Sequence, residues 1–443
     1  MSSVRCLAVV FCLAVILTVI PVARAQQGIS IAGAGAVNLS FGGATTAAPL
    51  DAIGALYWNP ATMMGLERSE LSVGANLIFP QTRISSGLAP GAIFPGVPPE
   101  GIFGSDRGNN GVFALPSVGF TYKPEGEPWA LGLGLLPAGG FGTNFPADPT
   151  NLILSPHLPH GVAQGSIFTQ FQLVDLVAAA ACQLTDRLSV GFAPLLSLVL
   201  LQEDPGIIVP PDDANGNGIP TYPALTHTHL IFGGGFQVGL YYQLDGGWRL
   251  GASVKSTQWL DTFEFRSVNE IDQPRNDRVR ADFPMISSVG VSYAGLSRWL
   301  FAADLRYIDY KNTKGFSEGG FGPDGALRGL GWRSIWAIAL GAQYCLTEAV
   351  TLRLGYTFNQ NPIPDLLATE NAGSATVEEH ALYAGGSYKV NDSLLLSAAY
   401  IHVFGNSITG PLVLPPIGPI PGSFVKDEIV GVDSFLVGIT VRF

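Results

Sequence analysis

The chain is 443 residues long with a formal net charge of −11, and 47% of its residues are hydrophobic while only 13% are charged. A soluble domain usually carries about a quarter charged residues, so an ordinary water-solvated globule is excluded, and the acidity excludes nucleic acid as a partner. Once the amino-terminal segment is set aside, Cys182 and Cys345 are the cysteines left, too few and too far apart for a disulfide framework.

The chain opens with one cation at Arg5, an apolar run from Cys6 to Ile20, the helix breaker Pro21 and then Ala23-Arg24-Ala25. That pattern predicts a secretory signal peptide over residues 1–25, with the mature chain beginning near Gln26. No later stretch is long and apolar enough for a transmembrane helix, which needs about 20 residues. A closed sheet removes the conflict between low charge and the missing helix, because its lipid face replaces part of the surface that water would otherwise solvate.

Residues 26–65 are rich in Gly and Ala, are interrupted by Pro49 and Pro60, and carry Leu50, Ile53, Leu56, Tyr57 and Trp58. The segment lacks strand alternation and is too apolar for a solvated tail, so it is expected inside a lumen as a hatch. Residues 66–443 break into segments of about ten or more residues with period-2 alternation, the length of a tilted membrane strand. In Thr351–Phe358, Leu352, Leu354, Tyr356 and Phe358 share one face, while Thr351, Arg353, Gly355 and Thr357 share the other. About fourteen such segments begin near Leu66, Val112, Trp129, Gly165, Arg187, Thr226, Trp248, Arg278, Arg298, Trp332, Thr351, Thr376, Ser393 and Lys426. Their connections alternate between short turns and long Pro/Gly-rich loops, as in an even-stranded outer-membrane barrel. The expected fold is all-β: a transmembrane antiparallel β-barrel of about 14 strands with its hatch in the lumen. A soluble sandwich is the competing class, but its strands would not need leucines and aromatics on every outer face.

The stretch GAGAVNLSFGGATTAAPLDAIGALYWNPA, residues 33–61, resembles the hatch of the outer-membrane long-chain fatty acid transporter family, the FadL-like proteins. The likeness rests on Tyr57-Trp58 followed by Asn59-Pro60-Ala61 just before the first strand, on Arg353-Leu354-Gly355-Tyr356 followed by Asn361-Pro362-Ile363-Pro364, and on the last strand. That strand ends at Phe443, which resembles the signal read by the barrel-assembly machinery. The resemblance implies an outer-membrane channel without cofactor or energy source, surrounded by outer-membrane lipid. It further implies that a fatty acid or similar hydrophobic molecule lodges among the outer loops, moves to a pocket beside the hatch and leaves through a gap in the third strand.

In this sequence the third strand runs into Gly134, Pro137, Gly139 and Gly140, residues that remove a ladder donor and let the chain bend, so they are the candidate lateral gate. The plain alternative is a strand end entering a glycine-rich loop. Among inward-facing cations, Arg306 and Arg353 are candidates to meet a ligand carboxylate. Leu152, Ile153, Leu154, Leu158 and Phe168 are candidates for an outer capture groove, with ordinary loop packing as the alternative. Asp213, Asn215 and Asn217 begin a calcium-loop pattern, but the twelfth position is Ala224, which favours a polar turn over a metal site. No catalytic triad is legible in the linear sequence, so an enzyme is not expected. The expected activity is passive uptake of long-chain fatty acids or similar molecules. The alternatives are an aromatic or alkane hydrocarbon channel of the same architecture, and a structural or adhesive barrel without transport.

Overall fold

The structure, a computed structural model, describes residues 27–91, 100–155, 165–227, 229–374, 376–415 and 417–443. The expected signal peptide and Leu158 lie outside the described residues. The wall begins with β1 (Glu70–Leu88), β2 (Phe113–Tyr122), β3 (Trp129–Phe145), β4 (Ile167–Gln183), β5 (Leu188–Asp204), β6 (Ile231–Gln243) and β7 (Trp248–Lys255). It continues through β8 (Ile286–Leu296), β9 (Trp299–Ile308), β10 (Ile335–Cys345), β11 (Val350–Asn359), β12 (His380–Asn391), β13 (Leu394–Gly410) and β14 (Ser423–Arg442). Each strand pairs antiparallel with its chain neighbours, and β1 pairs β14 from Glu70↔Arg442 to Leu88↔Ser423, so the fourteen-stranded sheet closes.

Alternation decides which side chains meet lipid. On β11, Leu352 and Leu354 are exposed while Arg353, Gly355 and Thr357 are buried, and β14 exposes Phe435, Val437 and Ile439 between buried Ser434, Leu436 and Thr440. Leu354 and Val437 each expose 64% of their surface, tolerable only where lipid replaces water. Aromatic pairs ring the turn-side edge, with Trp248–Tyr293 and Trp299–Tyr344 centroids both 4.6 Å apart, as expected at a membrane interface. The strand starts read from sequence fall within a few residues of those observed, except for the eighth. Arg278 belongs to a hairpin in a long loop, where Phe263–Val268 pairs with Pro274–Val279, and the wall strand starts at Ile286. The hairpin alternates as a wall strand does, so period alone could not separate them.

Residues 27–66 fill the lumen as the hatch, with helices α1 (Ala36–Ser40) and α2 (Ala52–Trp58) and a 3₁₀ turn over Pro60–Gly65. Asn59 explains why the Asn-Pro-Ala motif sits here. Its side-chain oxygen accepts from the Ala61 N–H at 3.1 Å, capping the turn that Pro60 opens, while its amide donates to the carbonyls of Thr46 at 2.7 Å and Leu240 on β6 at 2.8 Å. The wall makes room for it with glycines. A Cβ at Gly239 would lie 2.0 Å from the Asn59 Oδ1, and one at Gly191 would lie 2.4 Å from the Ala61 nitrogen. Replacing Asn59 by Ala removes one cap and two further buried hydrogen bonds, and is expected to cost about 2–4 kcal/mol of hatch docking. Protease cleavage or hydrogen exchange confined to residues 27–66, with the barrel intact, is the measurement. Unchanged protection would show that the motif does not anchor the hatch.

Candidate functional site

The seam between β2 and β3 is incomplete. β3 pairs β4 along its whole length from Trp129↔Cys182 to Phe145↔Ile167, yet it pairs β2 only from Tyr122↔Leu131 to Val118↔Leu135. Beyond Leu135 the strand turns inward: Leu136, Pro137, Ala138 and Gly139 are buried in succession, and the register against β4 slips between Pro137 and Gly139. An extra residue in one strand bends it in this way. Further out the two edges meet again, with the Asn109 N–H donating to the Asn144 carbonyl at 2.7 Å and the Asn144 N–H donating to Asn110 Oδ1 at 2.8 Å. Between these limits lies an opening in the backbone ladder, partly covered by Phe113, whose ring would be 2.7 Å from a Cβ at Gly142.

Backbone groups freed at such an edge must find partners, because lipid offers none. The start of the hatch supplies them. Ile31 donates its N–H to the Ala138 carbonyl at 3.3 Å, the Gly140 N–H donates to the Ile29 carbonyl at 3.1 Å, and Ser30 bridges Gly139. The hydroxyl of Tyr57 donates to the Ile31 carbonyl at 3.0 Å and lies 3.5 Å from that of Ala138. Tyr310, just past β9, holds the other end, donating to the Gln27 carbonyl while accepting from the Ser30 N–H at 3.4 Å. Gly28 is required there, since at φ 67° a Cβ would fall 2.4 Å from the Tyr310 hydroxyl. Ile29 of this segment belongs to a packed apolar cluster that includes Leu136, Phe171, Leu173, Phe283, Ile308 and Trp332.

The structure places Pro137, Gly139 and Gly140 on the inner edge of this opening and Gly134 below it, still paired with Gly119, while Tyr57 reaches the edge from the hatch and Trp58 packs instead against Arg306. Both candidate cations face inward as expected, but both are engaged elsewhere. The Arg306 guanidinium stacks 3.4 Å from the Trp58 ring, pairs with Asp304 at 3.1 Å and donates to the Gly43 carbonyl. Arg353 donates to Gln343 and Ser387, each at 2.7 Å. A third buried cation, Lys255, lies 3.9 Å from Asp175 and 4.5 Å from the Tyr57 ring centroid. Leu152, Ile153 and Leu154 do not line an open groove: they are at most 1% exposed, packed with Ile84, Phe145 and Ile167. Phe168 is separated from them because alternation turns it to the opposite face from Ile167. Asp213 accepts from the Gly218 N–H, Asn215 from that of Asn217 and Asn217 from that of Ile219, so these oxygens close polar turns. Among the described residues no three His, Cys, Asp or Glu groups are arranged to hold a metal. The sequence reading missed the Ile29–Ile31 pairing and Tyr310, neither of which has a local pattern to mark it.

A family model described as outer membrane protein transport protein (OMPP1/FadL/TodX) matches residues 14–409. The chain belongs to this family. Members of the OMPP1/FadL/TodX family are outer-membrane transport channels, and this chain is an outer-membrane barrel of that kind. Its fold is similar to that of the Pseudomonas putida toluene transporter TodX, with 16% identity and a TM-score of 0.68 over 93% of this chain and 99% of that one. A Pseudomonas aeruginosa FadL homologue matches at 13% identity and 0.69 over 94% and 100%, and the Ralstonia pickettii toluene transporter TbuX at 19% and 0.66 over 93% and 99%. No curated protein matches the sequence.

On the turn side of the hatch, Asp51 caps α2 by accepting from the Gly54 N–H at 3.0 Å. Burial pushes its carboxyl up to about 6 from 3.8, against the lowering effect of that hydrogen bond and of Arg353 and Arg442. The docked hatch therefore holds a proton that the undocked segment releases. That contribution is fully present below about pH 4 and is lost as pH rises through about 6. Asp51→Asn keeps the capping oxygen and removes the proton, so hydrogen exchange of the hatch should vary less between those pH values than in the parent. An undiminished pH slope would remove Asp51 as its source.

Proposed function

We propose that this chain is a passive outer-membrane channel for uncharged hydrophobic molecules, which leave the lumen sideways between β2 and β3. The observation that carries the reading is the interrupted seam, with a packed apolar cluster directly behind it and a short segment of the hatch across it. Lateral exit suits a molecule poorly soluble in water, because it passes from apolar lumen to lipid without crossing an aqueous space. The segment Gln27–Ile31 acts as the stopper. Its displacement exposes the edge at Ala138 and Gly140, and the molecule takes its place.

The preference for an uncharged ligand rests on the lumen's charges. Among the described residues the buried cations are Lys255, Arg306 and Arg353, each engaged with a wall or hatch group although Arg306 Nε and Nη1 have no hydrogen-bond partner, whereas buried carboxyls include Asp175, Asp304, Glu370, Glu378 and Asp427. Glu370 Oε2 and Glu378 Oε2 have no hydrogen-bond partner, and burial pushes the Glu378 carboxyl up to about 7. A fatty-acid carboxylate entering such a space would lose its hydration, and the cations that could meet it are already paired with or stacked on other groups, a cost that an alkane or aromatic ring avoids.

Cells carrying the protein should take up hexadecane or naphthalene faster than cells without it, and hexadecanoate should compete weakly. Equal competition by hexadecanoate would favour a fatty-acid channel of the same architecture. No protein-dependent uptake of either class would leave a barrel without transport. Tyr310→Phe deletes both latch bonds of the stopper and should raise uptake by up to about thirtyfold, given about 1 kcal/mol per hydrogen bond. Pro137→Val combined with Gly139→Val would be a less clean test, because a Cβ at Gly139 would lie 2.4 Å from the Phe283 ring and 2.9 Å from the Ile29 carbonyl oxygen.

A further inference from the structure

The lower limit of the opening is set where the β2–β3 ladder stops, and the reason is visible in which way the backbone groups point. Phe443 donates its N–H to the Ser69 carbonyl, so odd-numbered residues at the start of β1 face β14 and even-numbered ones face β2. Through the register Glu70↔Thr121 to Ile78↔Phe113, odd-numbered residues of β2 therefore face β1 and even-numbered ones face β3. From the other side, Gln183 donates to the Pro128 carbonyl, so even-numbered residues of β3 up to the register slip face β4 and odd-numbered ones face β2. The pairs that exchange hydrogen bonds across the β2–β3 seam are thus Tyr122↔Leu131, Phe120↔Leu133 and Val118↔Leu135. The next in that series is Pro116 opposite Pro137. In an antiparallel ladder such a pair exchanges two N–H···O bonds, and here both donors are missing.

We infer that Pro116 is a positioning residue for the lateral opening, acting with Pro137 as a facing pair that ends the β2–β3 ladder and fixes the opening's lower edge. The inference rests on the lateral route proposed above. One proline alone does not end a ladder in this barrel. Pro194 on β5 faces Ala178 on β4, and that ladder omits Ala178 and Ala179 but resumes at Ala180↔Phe192. The non-proline partner keeps its donor, and the strands stay in register. At the β2–β3 seam neither side can donate, β3 departs inward at once, and its freed groups are taken by Ile29 and Ile31. The opening is therefore a fixed feature of the wall, and the stopper, not an unzipping of strands, decides whether it is passable.

The test uses Pro116→Val and Pro137→Val, singly and together, with Pro194→Val as control, in the full chain, assembled in cells for uptake and purified in mild detergent for exchange. Assembly is read from heat-shifted electrophoretic mobility. Each new valine amide should exchange with deuterium at least about tenfold slower than an unstructured amide, because it enters the extended ladder. The double variant, with its edge moved outward, should take up naphthalene about threefold or more slowly, while Pro194→Val stays at the parental rate. New amides that exchange at the unstructured rate overturn the proline stop, whatever happens to uptake. Protected amides with undiminished uptake leave the stop standing and sink the lateral route instead. Should the double variant fail to assemble, each single variant restores one of the two bonds and carries the same exchange readout.

Discussion

Hydrocarbon offers a backbone amide nothing to bond to, and an unmatched group there costs several kcal/mol. That constraint organises this barrel. It requires β1 to find β14, makes the wall antiparallel with short turns on one side, and forbids a free edge at membrane depth. The seam between β2 and β3 departs from the rule, and the protein resolves it without breaking it. The strand bends out of the lipid, and the first described residues of the chain become its partner. A wall and a plug that would otherwise be separate parts thus share hydrogen bonds at one place.

The rest of the hatch is fastened by a different logic. Asn59 reaches Leu240 of β6, Trp58 accepts from Gln237 and lies under Arg306, and Lys123 in the β2–β3 turn donates to the Met64 carbonyl at 2.8 Å. These contacts are polar, specific and buried or half-buried, and leaving a buried hydrogen-bonding group unmatched costs about 1–3 kcal/mol. By contrast Gln27–Ile31 is held by a few bonds to the inward-bent edge and two to a single phenol. The hatch therefore divides into an anchored body and a lightly held start, and the lightly held part is the one lying across the opening.

How much of this could be read from the sequence follows from which features are local. Period-2 alternation is a property of each strand by itself, so the faces of β11 and β14 were legible residue by residue. The hatch was legible because Tyr57-Trp58-Asn59-Pro60-Ala61 concentrates its anchors in five consecutive positions. The hairpin around Arg278 was misassigned because it alternates like a wall strand but pairs within a loop. Arg306 and Arg353 were placed on the correct face, yet a face does not say whether the lumen at that height holds ligand or plug. Pro137 stood out beside its glycines, whereas Pro116, on an otherwise regular strand, acquires meaning only when the register sets it opposite Pro137.

That last point bears on how a channel of this kind can be selective without moving its wall. If the lower edge of the opening is fixed by two residues that cannot donate, then thermal fluctuation of the seam does not compete with transport. The free energy of opening reduces to that of displacing a short segment from an apolar space. A hydrophobic molecule that fills the same space recovers the burial which Ile29 and its neighbours give up, at about 25 cal/mol per Å² of apolar surface. A charged one recovers less, because it must also give up its hydration. Selectivity then follows from what can replace the stopper, since a ligand shifts the equilibrium only by the difference in its affinity for the two states.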